Sequence, residues 1–120
     1  MDIRDDALSQ WVEPDAILQM KREKLTEYPS GAKRSDATGK GRYDLIPPCA
    51  IRRLAMRFEA GATDKGERNW EKGFPRTRAI DSAFRHLYQY AEGDRGEDHL
   101  AAAMWQLAAL MFFEEQEIDV

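Results

Sequence analysis

A run of fourteen residues, Leu100 to Phe113, carries no charge and is broken only by Gln106. A bilayer-spanning helix needs roughly twenty apolar residues, so no membrane span is expected here. A helix apolar almost all round must instead be covered by protein on every side. With 120 residues and 13.8 kDa, the chain has material for one core and few elements to wrap such a helix. Burial by a second subunit is therefore the expected solution. Complete wrapping within a monomer is the alternative.

The charge balance narrows the function classes. Eighteen Lys+Arg against twenty-two Asp+Glu leave a net charge of -4, where a protein that coats polymeric nucleic acid would carry a basic face. Composition, 42% apolar and 33% charged, is that of a globular chain. The single cysteine, Cys49, cannot close an internal disulfide, so a reducing compartment fits. The opening MDIRDDALSQ is acidic and polar, unlike a secretory signal, and the cytoplasm is the expected location.

Periodicity reads as all-α, a helical bundle of about four helices with no convincing strand. The first helix is expected over about 14–28, between Pro14 and the stop at Pro29. A long Gly/Lys/Arg loop, 29–47, follows. The second helix opens at Pro47-Pro48 and closes at Gly61, with Ile51, Leu54, Ala55 and Phe58 at i, i+3, i+4, i+7. Residues 61–75 are rich in turn formers. The third helix, about 77–92, has Ile80, Ala83, Phe84, Leu87 and Ala91 as its expected core face. The fourth, about 98–115, contains the apolar run. Three parts result: an N-terminal helical extension (1–30), a helical domain (31–115), and an acidic tail (116–120) expected to fray.

Candidate chemistry lies in the loop and the carboxylates. Gly39-Lys40-Gly41-Arg42 offers backbone N–H groups and two cations to a phosphate, although its spacing is not that of a Walker A loop and no strand precedes it. A hydrated divalent ion takes one or two carboxylates plus the phosphates of its substrate. Glu59, near the end of helix two, and Asp81, near the start of helix three, fall at the same end of an antiparallel hairpin. Both flank apolar stripes and so should face a crevice. Each also has a plain structural reading: an arginine partner for Glu59, and an i,i+4 pair with Arg85 for Asp81. Asp98 suits the N-cap of helix four, and about ten residues separate it axially from Asp81, roughly 15 Å at ~1.5 Å per residue. His86 and His99 lack a zinc-site spacing.

Five stretches together resemble the phage dATP/dGTP diphosphohydrolases, which belong to the MazG-like all-α nucleotide pyrophosphohydrolases. They are GKGRYDLIPPCAIRRLA (39–55), FEAGA (58–62), RNWEKG (68–73), the D-x-x-x-R-H of Asp81, Arg85 and His86, and EDHLAAAMWQLAAL (97–110). The resemblance implies an enzyme, a homodimer or homotetramer, that cleaves a purine deoxynucleoside triphosphate, dGTP or dATP, to the monophosphate and pyrophosphate with Mg²⁺ or Mn²⁺. Carried onto these residues, Glu59 and Asp81 become catalytic metal ligands, with Asp98 a further candidate. Lys40, Arg42 and Arg85 would face phosphate oxygens, Trp70 would stack on the base, and Asn69 would meet its edge. His86 and His99 would stand at the substrate site, His99 supporting a ligand. The paired E-x-x-E and E-x-x-D of the wider superfamily are not matched: the one E-x-x-E is Glu114/Glu117, in the tail. Glu92/Asp94 and Glu97/Asp98 therefore stay open as acidic sets. The alternative is a catalytically inactive domain on the same scaffold that binds a nucleotide or a protein.

Overall fold

A computed structural model describes residues 25–120, which form two units, 25–45 and 46–120. Residues 14–24 of the expected first helix, and most of the 1–30 extension, lie outside the described residues. Residues 25–28 correct the expectation. Strand β1 (Leu25–Glu27) pairs antiparallel with β2 (Lys33–Ser35), Thr26 opposite Arg34. Pro29, Ser30 and Gly31 form the connection: Gly31 N–H donates to Tyr28 O at 2.8 Å, and Gly31 takes φ +87°. That is a type I turn closed by a left-handed glycine, a geometry that joins two strands and cannot continue a helix. Further along the unit, Tyr43–Leu45 make one 3₁₀ turn.

The second unit is helical. Helix α1 (Pro48–Lys65) starts with proline at its first position, where no N–H is needed. It runs through Gly61, the expected stop, because that glycine keeps helical dihedrals. The chain leaves the helix at Gly66, which has φ +100° and donates its N–H to Ala62 O at 2.9 Å. A 3₁₀ turn, Asn69–Lys72, sits inside the expected 61–75 connection. Helices α2 (Arg76–Ala91) and α3 (His99–Glu115) follow within a residue or so of their expected bounds. Three helices, and not four, are therefore seen among the described residues. None is long and apolar enough to cross a membrane.

Helix α3 is the centre of this unit, with α1 and α2 each packed on it and scarcely on one another. Contacts Ser82–Gln106 and His86–His99 set α2 antiparallel to α3, whereas Arg53–Asp98 and Phe58–Trp105 set α1 parallel to it. The expected direct α1–α2 hairpin is thus opened by a helix between its arms. Alanines Ala101, Ala102, Ala103 and Ala109 of α3 are buried, and α2 meets them with Ala79, Ala83 and His86. Small side chains on both faces let the two helices approach closely. The face expected from the large apolar residues of α2 is consequently turned outward: Ile80 is 40%, Phe84 57% and Leu87 46% exposed. On α1, Leu54 and Phe58 are half-buried, while Ile51 and Ala55 are exposed.

An aromatic cluster closes one end. Trp70 lies edge-on to Phe112 at 4.9 Å, Phe74 stacks on Trp105 at 6.0 Å, and Phe113 meets Phe74 edge-on at 5.1 Å. The tail does not fray. Ile118 N–H donates to Phe113 O at 2.9 Å, and half-buried Ile118 and Val120 flank Gly73. A Cβ on Gly73 would stand 3.3 Å from both side chains, so this glycine (φ +96°) leaves room for the returning chain.

Candidate functional site

Between α1 and α2, with α3 as floor, the second unit holds a cleft of about 710 Å³. Its aromatic wall is Phe58, Trp70, Phe74 and Trp105; Trp70 thus serves as both core anchor and cleft wall. Four cations, Arg57, Lys65, Arg78 and Arg85, face one carboxylate, Asp64. The cleft is therefore locally cationic in a chain of net charge -4. Two of the four cations are already paired, Lys65 with Asp64 at 2.8 Å and Arg57 with Glu97 at 3.1 Å. Arg78 and Arg85 have no carboxylate partner among the described residues. They stand two turns apart on one face of α2 with Ser82 between them, and Arg85 donates to Ser82 Oγ at 3.2 Å. Gln106 also donates to that hydroxyl, at 3.1 Å.

Of the residues expected at a site, Asn69, Trp70 and Arg85 line this cleft. Asp81 is exposed on α2 beside Ser82, at the rim by helical register, and Glu59 is exposed on α1. The cleft-lining residues of α1 include Arg57, Gly61 and Asp64; at 3.6 residues per turn Glu59 projects from the far side of that helix. The carboxyl groups of Glu59 and Asp81 are thus not brought together around this cleft. Lys40 and Arg42 belong to the other unit, both exposed. Arg42 there makes a two-pronged ion pair with Asp44 at 2.8 and 2.9 Å.

Asp98 is the N-cap of α3, accepting from Ala101 N–H at 3.1 Å. Both of its oxygens also accept from Arg53, at 2.7 Å each. Three protein donors thus occupy its two oxygens. The Arg53 guanidinium holds the carboxyl down at about 2, against an ordinary 3.8. A depressed value means the folded state favours the charged form. The pair therefore stabilises the fold above the ordinary value and loses that contribution as pH falls towards about 2. Asp98→Ala should lower stability by about 1 kcal/mol through the cap alone. Thermal unfolding followed from neutral to acid pH should show the variant closing on the native protein below pH 4.

His86 and His99, 4% and 2% exposed, do not line the cleft. Their Nδ1 atoms face one another at 2.9 Å across the α2–α3 hairpin. Glu97 Oε1 lies 4.0 Å from His86 Nδ1 and 3.9 Å from His99 Nδ1, a grouping capable of holding a metal ion. Burial pushes His86 below the ordinary histidine value. Asp94 lies 3.2 Å from His99 Nε2 and is itself held low, chiefly by the Gly96 N–H. Sequence spacing hides this group because only antiparallel packing brings 86 beside 99. The sequence expectation does not include Arg57, Arg78 or Trp105 either. The i, i+4, i+7 spacing of Arg78, Ser82 and Arg85 is the signal in the sequence that marks this face of α2.

The fold and cleft define a class: a small helical domain whose cleft is lined by arginines and indoles. The sequence profile of the dATP/dGTP diphosphohydrolase N-terminal domain matches residues 30–120, and the chain belongs to that family. No curated protein and no solved structure shows significant similarity to it.

Proposed function

We propose that the chain takes part in divalent-ion-dependent hydrolysis of a purine deoxynucleoside triphosphate, dGTP or dATP, to the monophosphate and pyrophosphate. The observation that carries this reading is the pair of arginines, Arg78 and Arg85, that face an indole-walled cleft with no carboxylate partner among the described residues. Arg78 and Arg85 bind the polyphosphate, and Arg57 adds a third cation when Glu97 releases it. Trp70 or Phe74 packs against the base, and Asn69 offers its amide to the base edge. Water attacks the α-phosphorus, the bond from that phosphorus to the α–β bridging oxygen breaks, and pyrophosphate leaves. Arginines placed on the phosphate oxygens stabilise the charge that gathers there.

A Mg²⁺ or Mn²⁺ ion bound to the substrate's phosphates would need only one or two carboxylates from the protein. Asp81 at the rim suits this role. When bound, the ion neutralises phosphate charge and lowers the pKa of a water. Glu59 points away from its own cleft and enters only from a second copy of the chain. Exposed Ile80, Phe84, Leu87, Leu107 and Met111 support such self-association.

Incubation with Mn²⁺ and dGTP or dATP should release pyrophosphate from a preparation whose molar mass exceeds that of one chain. Asp81→Asn and Glu59→Gln should each abolish release, and mixing the two variants should restore part of it. A second reading, nucleotide binding without turnover, is favoured by the distance of Glu59 from the cleft. Saturable nucleotide binding with no pyrophosphate would establish it.

A further inference from the structure

We infer that His86, Glu97 and His99 form a site for a borderline divalent transition ion such as Zn²⁺ or Co²⁺, ligated by the two Nδ1 atoms and Glu97 Oε1. Two imidazoles and one carboxylate are a donor set that such ions take, with a fourth position left for water. Mg²⁺, which prefers oxygen alone, does not suit it. The spacing is close to that required. Two nitrogens on one ion, each at about 2.0–2.1 Å, stand roughly 3.0–3.4 Å apart. The observed 2.9 Å therefore needs to open by only a few tenths of an ångström. Glu97, exposed and with Oε1 3.9–4.0 Å from both nitrogens, has to move inward by under about 1 Å.

The surroundings point the same way. His99 Nε2 is buried without a hydrogen-bond partner, yet Asp94 Oδ2 is 3.2 Å away. A histidine on a metal commonly gives its other N–H to a carboxylate, which fixes the tautomer and turns the free lone pair towards the ion. Asp94 is placed to accept that proton, leaving His99 Nδ1 to face His86 and Glu97. One group competes: Arg57 holds Glu97 Oε2 at 3.1 Å. Drawing Glu97 onto an ion loosens this pair and frees Arg57, which lines the cleft.

Metal-free intact protein would be titrated with Zn²⁺ by calorimetry and with Co²⁺ by visible absorption. One ion per chain is expected, with the strong visible bands of four-coordinate Co²⁺ and no competition from excess Mg²⁺. Variants of the two buried histidines risk misfolding, so the exposed neighbours carry the test. Glu97→Gln should weaken binding at least tenfold, and Asp94→Asn about 10–100-fold. Arg57→Gln should tighten it, since Glu97 loses its competitor. Absence of saturable binding, or a Glu97→Gln affinity equal to that of the native protein, would overturn the assignment. Pyrophosphate release with Mg²⁺ or Mn²⁺ is a separate readout, so this site and the cleft reading can fail independently.

Discussion

Phe113→Ala should lower the stability of the helical unit by about 3–5 kcal/mol, the range for truncating a buried aromatic side chain. Phe113 is 1% exposed and touches three other rings, Trp70, Phe74 and Phe112. Its removal strips contacts from the 3₁₀ turn, the start of α2 and the end of α3 at once. It also loosens the tail, because Ile118 and Val120 settle beside the same end of the molecule. Domains of this size have about 5–15 kcal/mol of total stability, so the variant should stand near its limit. A fall of roughly 10–25 °C in the unfolding midpoint, followed by circular dichroism, is expected. Phe84→Ala is the control. At 57% exposed in the single chain it should cost less than about 1 kcal/mol there. A larger loss that grows with protein concentration would mean that another copy covers this face.

The contrast between Phe113 and Phe84 also shows what the residue pattern could convey. The apolar run from Leu100 to Phe113 was legible as the central element, because no solvated face exists for it to present. Proline at the first position of α1 and Asp98 at the cap of α3 were legible because they act within one turn. On α2, hydrophobic periodicity placed Ala83 correctly but failed for Ile80, Phe84 and Leu87. It assumes that the largest apolar residues face inward, whereas close alanine-to-alanine packing selected Ala79, Ala83 and His86. The hairpin was hidden for a different reason. Its strands, Leu-Thr-Glu and Lys-Arg-Ser, have three residues each and are exposed on both faces, so no alternation marks them. At the candidate site, residues near the 3₁₀ turn were recoverable. The pairing of Glu59 with Asp81 rested on direct α1–α2 contact, and α3 standing between those helices removed its geometric basis. The His86–Glu97–His99 group depends on a register between two helices that neither helix encodes alone.

Replacing Arg85 with alanine should weaken binding of a purine deoxynucleoside triphosphate by about 10- to 100-fold, since a hydrogen bond to a charged group contributes about 1.5–3 kcal/mol. Arg78→Ala should act similarly, because both guanidinium groups lack a carboxylate partner among the described residues. No internal pair offsets the loss. Arg57→Ala should act less, its charge being already engaged by Glu97 at 3.1 Å. Arg85→Lys should rescue only part of the affinity, as a point charge replaces a planar two-pronged donor. The variants should unfold near the native temperature, because neither side chain is buried. Calorimetric titration with dGTP and with inorganic triphosphate separates the contributions. The arginine variants should lose affinity for both ligands, whereas Asn69→Ala should lose it for dGTP alone. Equal affinity of native and Arg85→Ala protein for inorganic triphosphate would remove the phosphate from this cleft, and with it the proposed orientation of the substrate.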